Sequence, residues 1–178
     1  MTQESTPSGS PMGLSQESVT SLEVFEAQQV PTLVLKVHSQ PMDRMPEVFD
    51  TAFRAIFPAM AQHGLTPSGP AFALYHRAPD ETADFEVGMP LTEPSESAIE
   101  AADGVRLEPS WLPGGRAARI SHLGGFDQLS AAWAGFMGQV AAADETPELP
   151  FWEVYVTEPG PDVDPATLRT DLVTLLAE

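Results

Sequence analysis

At 178 residues, with 42% hydrophobic residues that include 9 Phe and 3 Trp, the chain is long enough for one ordinary domain or for two small halves sharing a core. Its 26 acidic residues against 8 basic ones give a formal charge of -18, which opposes nucleic acid as a partner, because binding to phosphates needs Lys and Arg to displace counterions. The lack of Cys removes disulfides, thiol nucleophiles and thiolate metal sites, and with neither a signal-like start nor a run of about 18 apolar residues a cytoplasmic protein with no membrane partner is expected.

Met1 to about Ser21 is rich in Ser, Thr, Gln, Gly and Pro without apolar periodicity, so it reads as a disordered tail ahead of a folded unit over residues 22–178. Within Leu22 to His38, the β-branched run Thr32 to Val37 lies between Pro31 and Pro41 and predicts a strand. Pro46 and Gly64 then bracket Phe49, Phe53, Ile56, Phe57 and Met60, the start and stop signals of an amphipathic helix, with Pro58 predicting a kink or early break. Two short strands follow, Ala71 to Arg77 and Asp84 to Leu91, joined by the turn-forming Ala78-Pro79-Asp80-Glu81. Glu93 to Ala102 reads as a polar linker, and Gly104 to Leu112 as an extended arm leading into the turn Pro113-Gly114-Gly115. The cycle repeats with a strand over Arg116 to His122, a tight Gly124-Gly125 connection, a helix from Phe126 to Ala142 and a strand from Pro150 to Glu158. Leu168 to Leu176 fits a closing strand or a short helix, and the strand is preferred because Pro150 to Glu158 needs a partner.

The repetition is visible in the letters. Moved 80 positions on, Ala52, Ala61, Thr66, Pro67, Pro70 and Tyr75 fall on Ala132, Ala141, Thr146, Pro147, Pro150 and Tyr155, and the apolar helix positions match as well. Repeat one covers about 22–92 and repeat two about 103–178. Neither half buries its own sheet and helix, so the expected fold is α+β: tandem strand-helix-strand-strand repeats forming one antiparallel sheet with two helices about a pseudo-twofold axis, and a ligand cleft on that axis.

One aligned position changes character: Ala73 falls on Glu153. In the strand Phe151 to Val156 the two-residue period puts Phe151, Glu153 and Tyr155 on one face and Trp152, Val154 and Val156 on the other. The wholly apolar face is expected to meet the helices, leaving Glu153 on the opposite side. With Tyr75 brought in by the dyad, Tyr75, Phe151, Glu153 and Tyr155 would line a concavity suited to a flat lipophilic molecule, with the carboxylate favouring a cation. The alternative is that Glu153 lies on a solvated sheet face. Trp111, beside a turn, reads as a lid or wall of the cleft or as a core plug, and Trp133, on the helix stripe, as core. His38 and His122 fall at matching strand ends, and no His, Asp and Glu spacing forms a metal site. No phosphate-binding glycine loop, dinucleotide fingerprint or serine triad is present, so no cofactor is expected. The acids, eight of them between Asp80 and Asp103 without an intervening base, read as a solvated surface or as a steering field for cationic ligands.

Four segments in order, Phe57 to His76 ending Gly69-Pro70-Ala71-Phe72-Ala73-Leu74-Tyr75-His76, Asp84 to Leu91, Gly115 to Phe126 and Trp152-Glu153-Val154-Tyr155, resemble the GyrI-like small-molecule-binding family, which includes the effector-binding domains of multidrug-responsive transcription regulators. The resemblance covers about Leu22 to Glu178. It implies that Glu153 contacts the ligand, a lipophilic aromatic cation in many members, with help from tyrosines. No DNA-binding domain accompanies it here. Stand-alone members that resemble hydrolases of strained cyclopropane genotoxins imply Glu153 and Tyr75 as catalytic residues, whereas others resemble gyrase inhibitors and imply gyrase as a partner. Binding of a lipophilic small molecule is the first of these three readings.

Overall fold

The computed structural model describes residues 17–157 and 161–178, so most of the expected tail lies outside the described residues. Repeat one runs β1 (Glu23–Ala27), β2 (Val30–Pro41), α1 (Met45–Gln62), β3 (Phe72–Tyr75) and β4 (Thr82–Pro90). The connection then forms β5 (Ile99–Glu100), and repeat two runs β6 (Arg106–Leu112), β7 (Gly115–Leu123), α2 (Leu129–Ala142), β8 (Pro147–Tyr155) and β9 (Arg169–Leu176). The nine strands make one sheet in the order β1-β7-β9-β8-β3-β4-β2-β6-β5, antiparallel throughout. The segment at Leu168 to Leu176 is a strand, the polar linker contributes β5, and the extended arm Gly104 to Leu112 becomes β6, paired to β2.

The duplication is built into the registers. β3 and β8 join the repeats with Phe72 opposite Val154, Ala73 opposite Glu153 and Leu74 opposite Trp152. Ala73 therefore faces its own counterpart, and in an antiparallel pair of related strands only one position can do so. The pseudo-twofold axis passes there. Carried outward through β4 and β9, the same correspondence matches Glu86 with Asp171 and Val37 with His122. His38 is thus one residue out of register with His122, and a shift of one puts side chains on opposite faces, so the two histidines are not equivalent.

The two outer arms are exchanged between repeats: β1 of repeat one pairs with β7 of repeat two, while β6 of repeat two pairs with β2 of repeat one. Their two-residue links, Gln28-Gln29 and Pro113-Gly114, meet where they cross. A Cβ on Gly114 would lie 3.0 Å from the Gln29 nitrogen and 3.2 Å from the Ala27 oxygen, so glycine permits the crossing. The arms fold over one sheet face and enclose Val34, Phe72, Leu74, Trp152, Val154 and Val173 with Val30, Leu112 and Phe25. No helix residue is in that cluster. The helices lie on the other face, where Ala52, Ile56 and Met60 of α1 pack against Ala73, Tyr75, Phe85 and Val87, and Phe136 and Val140 of α2 pack against Ala118 and Leu172. The expectation that the apolar Trp152 face meets the helices is reversed, because exchanged arms, invisible to a two-residue period, bury that face first.

Both helices end alike. Leu65 N–H donates to Met60 O across Gly64 at φ 64, and Glu145 N–H donates to Val140 O across Asp144 at φ 58, the same left-handed cap. α1 continues through Pro58 without breaking, since that residue lies on its exposed side, where water can take the carbonyl left without a donor. Gly88 and Gly138 give opposite expectations for replacement by Ala. At Gly88 a Cβ would sit 2.1 Å from the Leu33 carbonyl oxygen inside the sheet, so Gly88→Ala is expected to cost at least about 2 kcal/mol in urea unfolding. At Gly138, exposed on α2 with nothing within 4 Å, Gly138→Ala is expected to stabilise by about 0.5–1 kcal/mol in the same measurement.

Candidate functional site

Because the dyad runs through the Ala73 and Glu153 pair on the helix-covered face, the floor of the groove between α1 and α2 carries one carboxylate where a second copy of Ala would otherwise stand. Glu153 is only 6% exposed. Its Oε1 accepts the indole N–H of Trp133 at 2.7 Å, and its Oε2 accepts the hydroxyl of Tyr155 at 2.7 Å. Each carboxylate oxygen has a second acceptor position, so the group can still receive a donor or face a cation.

Aromatic rings surround it. Phe151 stacks on Tyr75 with centroids 5.3 Å apart and meets Trp133 at 4.8 Å, and Tyr75 stacks on Phe85 at 5.5 Å. The ring of Tyr155 is held edge-on by Phe49 and Phe126. On α1 the spacing of four places Phe49, Phe53 and Phe57 in one tilted ladder along the groove. The resulting cavity has a volume of about 1390 Å³, lined largely by these rings with Met45, Leu129 and Met137.

The electrostatics follow from burial. Desolvation raises the pKa of Glu153, and the hydrogen bonds from Trp133 and Tyr155 and the charge of His122 work in the opposite direction. Tyr75 and Tyr155 are both held protonated, chiefly by burial and then by the charge of Glu153. Tyr155 spends its proton on Glu153, whereas the hydroxyl of Tyr75, a residue 6% exposed, has no hydrogen bond with a described residue and faces the cavity.

Of the residues singled out from the sequence, Glu153, Tyr75, Tyr155 and Phe151 come together in this cavity. Trp111 does not. It sits on β6, 46% exposed and opposite Pro31, away from the cavity lining. Trp133, read as core, is instead the donor that holds Glu153, and Phe49, Phe53, Phe57 and Phe126 are lining residues that the strand pattern did not reveal. The signal for Trp133 was present: an indole on a helix stripe needs an acceptor when buried, and a sheet carboxylate supplies one. Among the described residues no cluster of three His, Cys, Asp or Glu is disposed to hold a metal ion, and no helix is long and apolar enough to cross a membrane.

A deep apolar groove on the dyad, with a few convergent polar groups at its floor, is the form that small-molecule sites take. The comparisons agree: the chain belongs to the family described as the GyrI-like small molecule binding domain, whose profile matches residues 26–176. Among curated proteins none matches the sequence. Among solved structures, the C-terminal domain of EcmrR is 16% identical with a TM-score of 0.70, the alignment covering 89% of this chain and 98% of that domain. The chain spans 57% of the EcmrR chain seen in a DNA complex, with 88% of this chain aligned, a TM-score of 0.68 and 16% identity. A hydrolase from Listeria innocua is 12% identical with a TM-score of 0.64, covering 91% of this chain and 94% of that one. SAV2435 bound to tetraphenylphosphonium is 10% identical with a TM-score of 0.58, covering 89% and 94%. At these identities the likeness concerns the fold.

An acid whose pKa is higher in the folded chain than in the unfolded one contributes stability that is complete below its unfolded pKa and is lost as pH rises through the folded value. Glu153 is such an acid. Glu153→Gln is therefore expected to melt above wild type at about pH 8 and to lose that advantage as pH falls toward the ordinary glutamate value of about 4.3. Thermal melts across this range decide it: a difference that does not change with pH would show that Glu153 titrates normally.

Proposed function

We propose that the unit of residues 22–178 binds lipophilic aromatic cations in the cleft between its two repeats. The observation that carries this reading is Glu153, a buried carboxylate that among the described residues is hydrogen-bonded only by neutral donors, on the floor of an aromatic groove. A buried carboxylate is costly without a positive partner, and a ligand cation is the partner the groove admits. The groove exceeds the usual 300–1,000 Å³ of ligand sites, so molecules of several rings fit it. Tetraphenylphosphonium in SAV2435, a structure of the same fold, supports the choice of probe. In a titration followed by tryptophan fluorescence, with Trp133 the one of the three tryptophans that lines the groove, tetraphenylphosphonium is expected to bind saturably. Glu153→Gln is expected to weaken it by about 1–3 kcal/mol while leaving the neutral triphenylphosphine oxide nearly unchanged. Equal losses for both compounds would replace charge recognition with shape recognition, and no saturable binding of either would remove the reading.

The unengaged hydroxyl of Tyr75 beside Glu153 favours a second reading, a cofactor-free hydrolase of strained cyclopropanes attached to a carbonyl. Glu153 takes a proton from water, the water oxygen bonds to a ring carbon and the ring C–C bond breaks toward the carbonyl. Tyr75 hydrogen-bonds the oxygen on which negative charge develops, and the proton returns from Glu153, so the net change is addition of one water. A raised carboxylate pKa suits a general base. Mass spectrometry of such a compound incubated with the protein is expected to show a water adduct with wild type, none with Glu153→Gln and a slower yield with Tyr75→Phe. Recovery of unchanged compound from all three would leave binding alone.

A further inference from the structure

The cleft is electrically one-sided. Its lining holds three carboxylates, Glu153, Asp50 and Asp127, and, among the described residues, no Lys, Arg or His. They stand at two depths: Glu153 is buried on the floor, whereas Asp50 on α1 and Asp127 in the turn ahead of α2 are exposed at the mouth. Each mouth acid directly follows a phenylalanine that packs edge-on against Tyr155, Phe49 with centroids 5.6 Å apart and Phe126 at 5.9 Å. Tyr155 in turn donates its hydroxyl to Glu153. The mouth acids thus stand over the same end of the cleft as the buried one, separated from it by the thickness of a helix layer, on the order of 10 Å. Neither forms an ion pair with a described residue. On the floor, two residues along β3 from the Ala73 that faces Glu153, Tyr75 is more than nine-tenths buried and lines the cavity with its hydroxyl unengaged by any described residue.

A singly charged ligand would answer Glu153 and leave both the mouth acids and the Tyr75 hydroxyl without a partner. We propose, on the basis of the binding reading above, that the cleft is built for elongated aromatic dications. One cationic end lies against Glu153, the other is held at the mouth by Asp50 and Asp127, and an ether or carbonyl oxygen of the spacer accepts from Tyr75. The ends contribute differently. The floor contact is shielded from water, whereas the mouth contacts are solvated, so the second charge adds a modest, salt-sensitive gain.

Two probes test this: diphenyl ether carrying a para amidine on each ring, whose two charges match the separation of floor and mouth and whose ether oxygen can accept from Tyr75, and the same ether with a single amidine, the single benzamidine, both titrated calorimetrically at low and high salt. The expected result is that the bis-amidine binds wild type about 3- to 10-fold tighter at low salt. That exceeds the factor of about two that two identical ends give by statistics. The advantage is expected to shrink with salt and to fall to that statistical factor in Asp50→Asn/Asp127→Asn, which weakens the single benzamidine less than the bis-amidine and whose thermal midpoint reports intact folding. Glu153→Gln is expected to weaken both probes. An advantage for wild type no greater than the statistical factor, or one above that factor that survives in the double Asn variant, overturns the dication proposal while saturable binding of the single benzamidine leaves the binding reading in place. No saturable binding of either probe overturns both.

Discussion

The contact on which the rest of the molecule depends is the pairing of β3 with β8. It joins the sheets of the two repeats, fixes their dyad at Ala73 and Glu153, and aligns α1 and α2 on either side of that axis. A register slip of one residue would move Phe151, Glu153 and Tyr155 to the closed face and Trp152 into the groove. The slip is opposed by the two apolar sets it would exchange, and by the crossed arms, which close over the Trp152 face only in the observed register. The groove is therefore a by-product of how two repeats close a sheet, and one ionisable side chain on the axis gives its floor a chemical character.

Charge burial shows which side chain that is. Among the described residues three carboxylates are buried, Glu86, Asp171 and Glu153. Glu86 and Asp171 are dyad counterparts on the closed face, and each has a basic partner, His76 for Glu86 and Arg169 for Asp171, with Ser121 donating to the latter as well. For Asp171 the cost of desolvation is offset within the fold, whereas Glu86 meets the half-exposed His76 through one oxygen and leaves its buried Oε1 without a partner among the described residues. Glu153 is treated differently, with an indole and a phenol as its only hydrogen-bond partners among the described residues. Neutral donors orient a carboxylate and lower its cost without cancelling its charge, which leaves that charge available to a molecule entering from outside.

The walls of the groove differ in firmness. α1 buries Ala52, Ala55, Ile56, Ala59 and Met60 against the sheet, whereas α2 buries Phe136 and Val140 and carries Gly135 and Gly138 on its exposed side. Trp133 is the polar tether of the weaker helix, since its hydrogen bond to Glu153 links α2 to the floor. The residue that orients the carboxylate also holds the wall beside it.

Local pattern in the sequence determined much of this. The 80-residue repetition predicts two related units and a dyad, the helix brackets at Pro46 and Gly64 hold, and the exchange of Ala73 for Glu153 falls on the strand that forms the groove floor. These are short-range facts, carried by periodicity and by caps. What only the tertiary structure decided is which face of that strand the helices cover, because both faces are buried and a two-residue period distinguishes two faces without saying what lies on either. The reversed face, the displacement of Trp111 from the cleft and the recruitment of Trp133 all follow from the exchange of β1 and β6 between repeats. Pairing between residues as far apart as Glu23 and Arg119 leaves no local mark, and it is that pairing which turns Glu153 toward the helices and the groove between them.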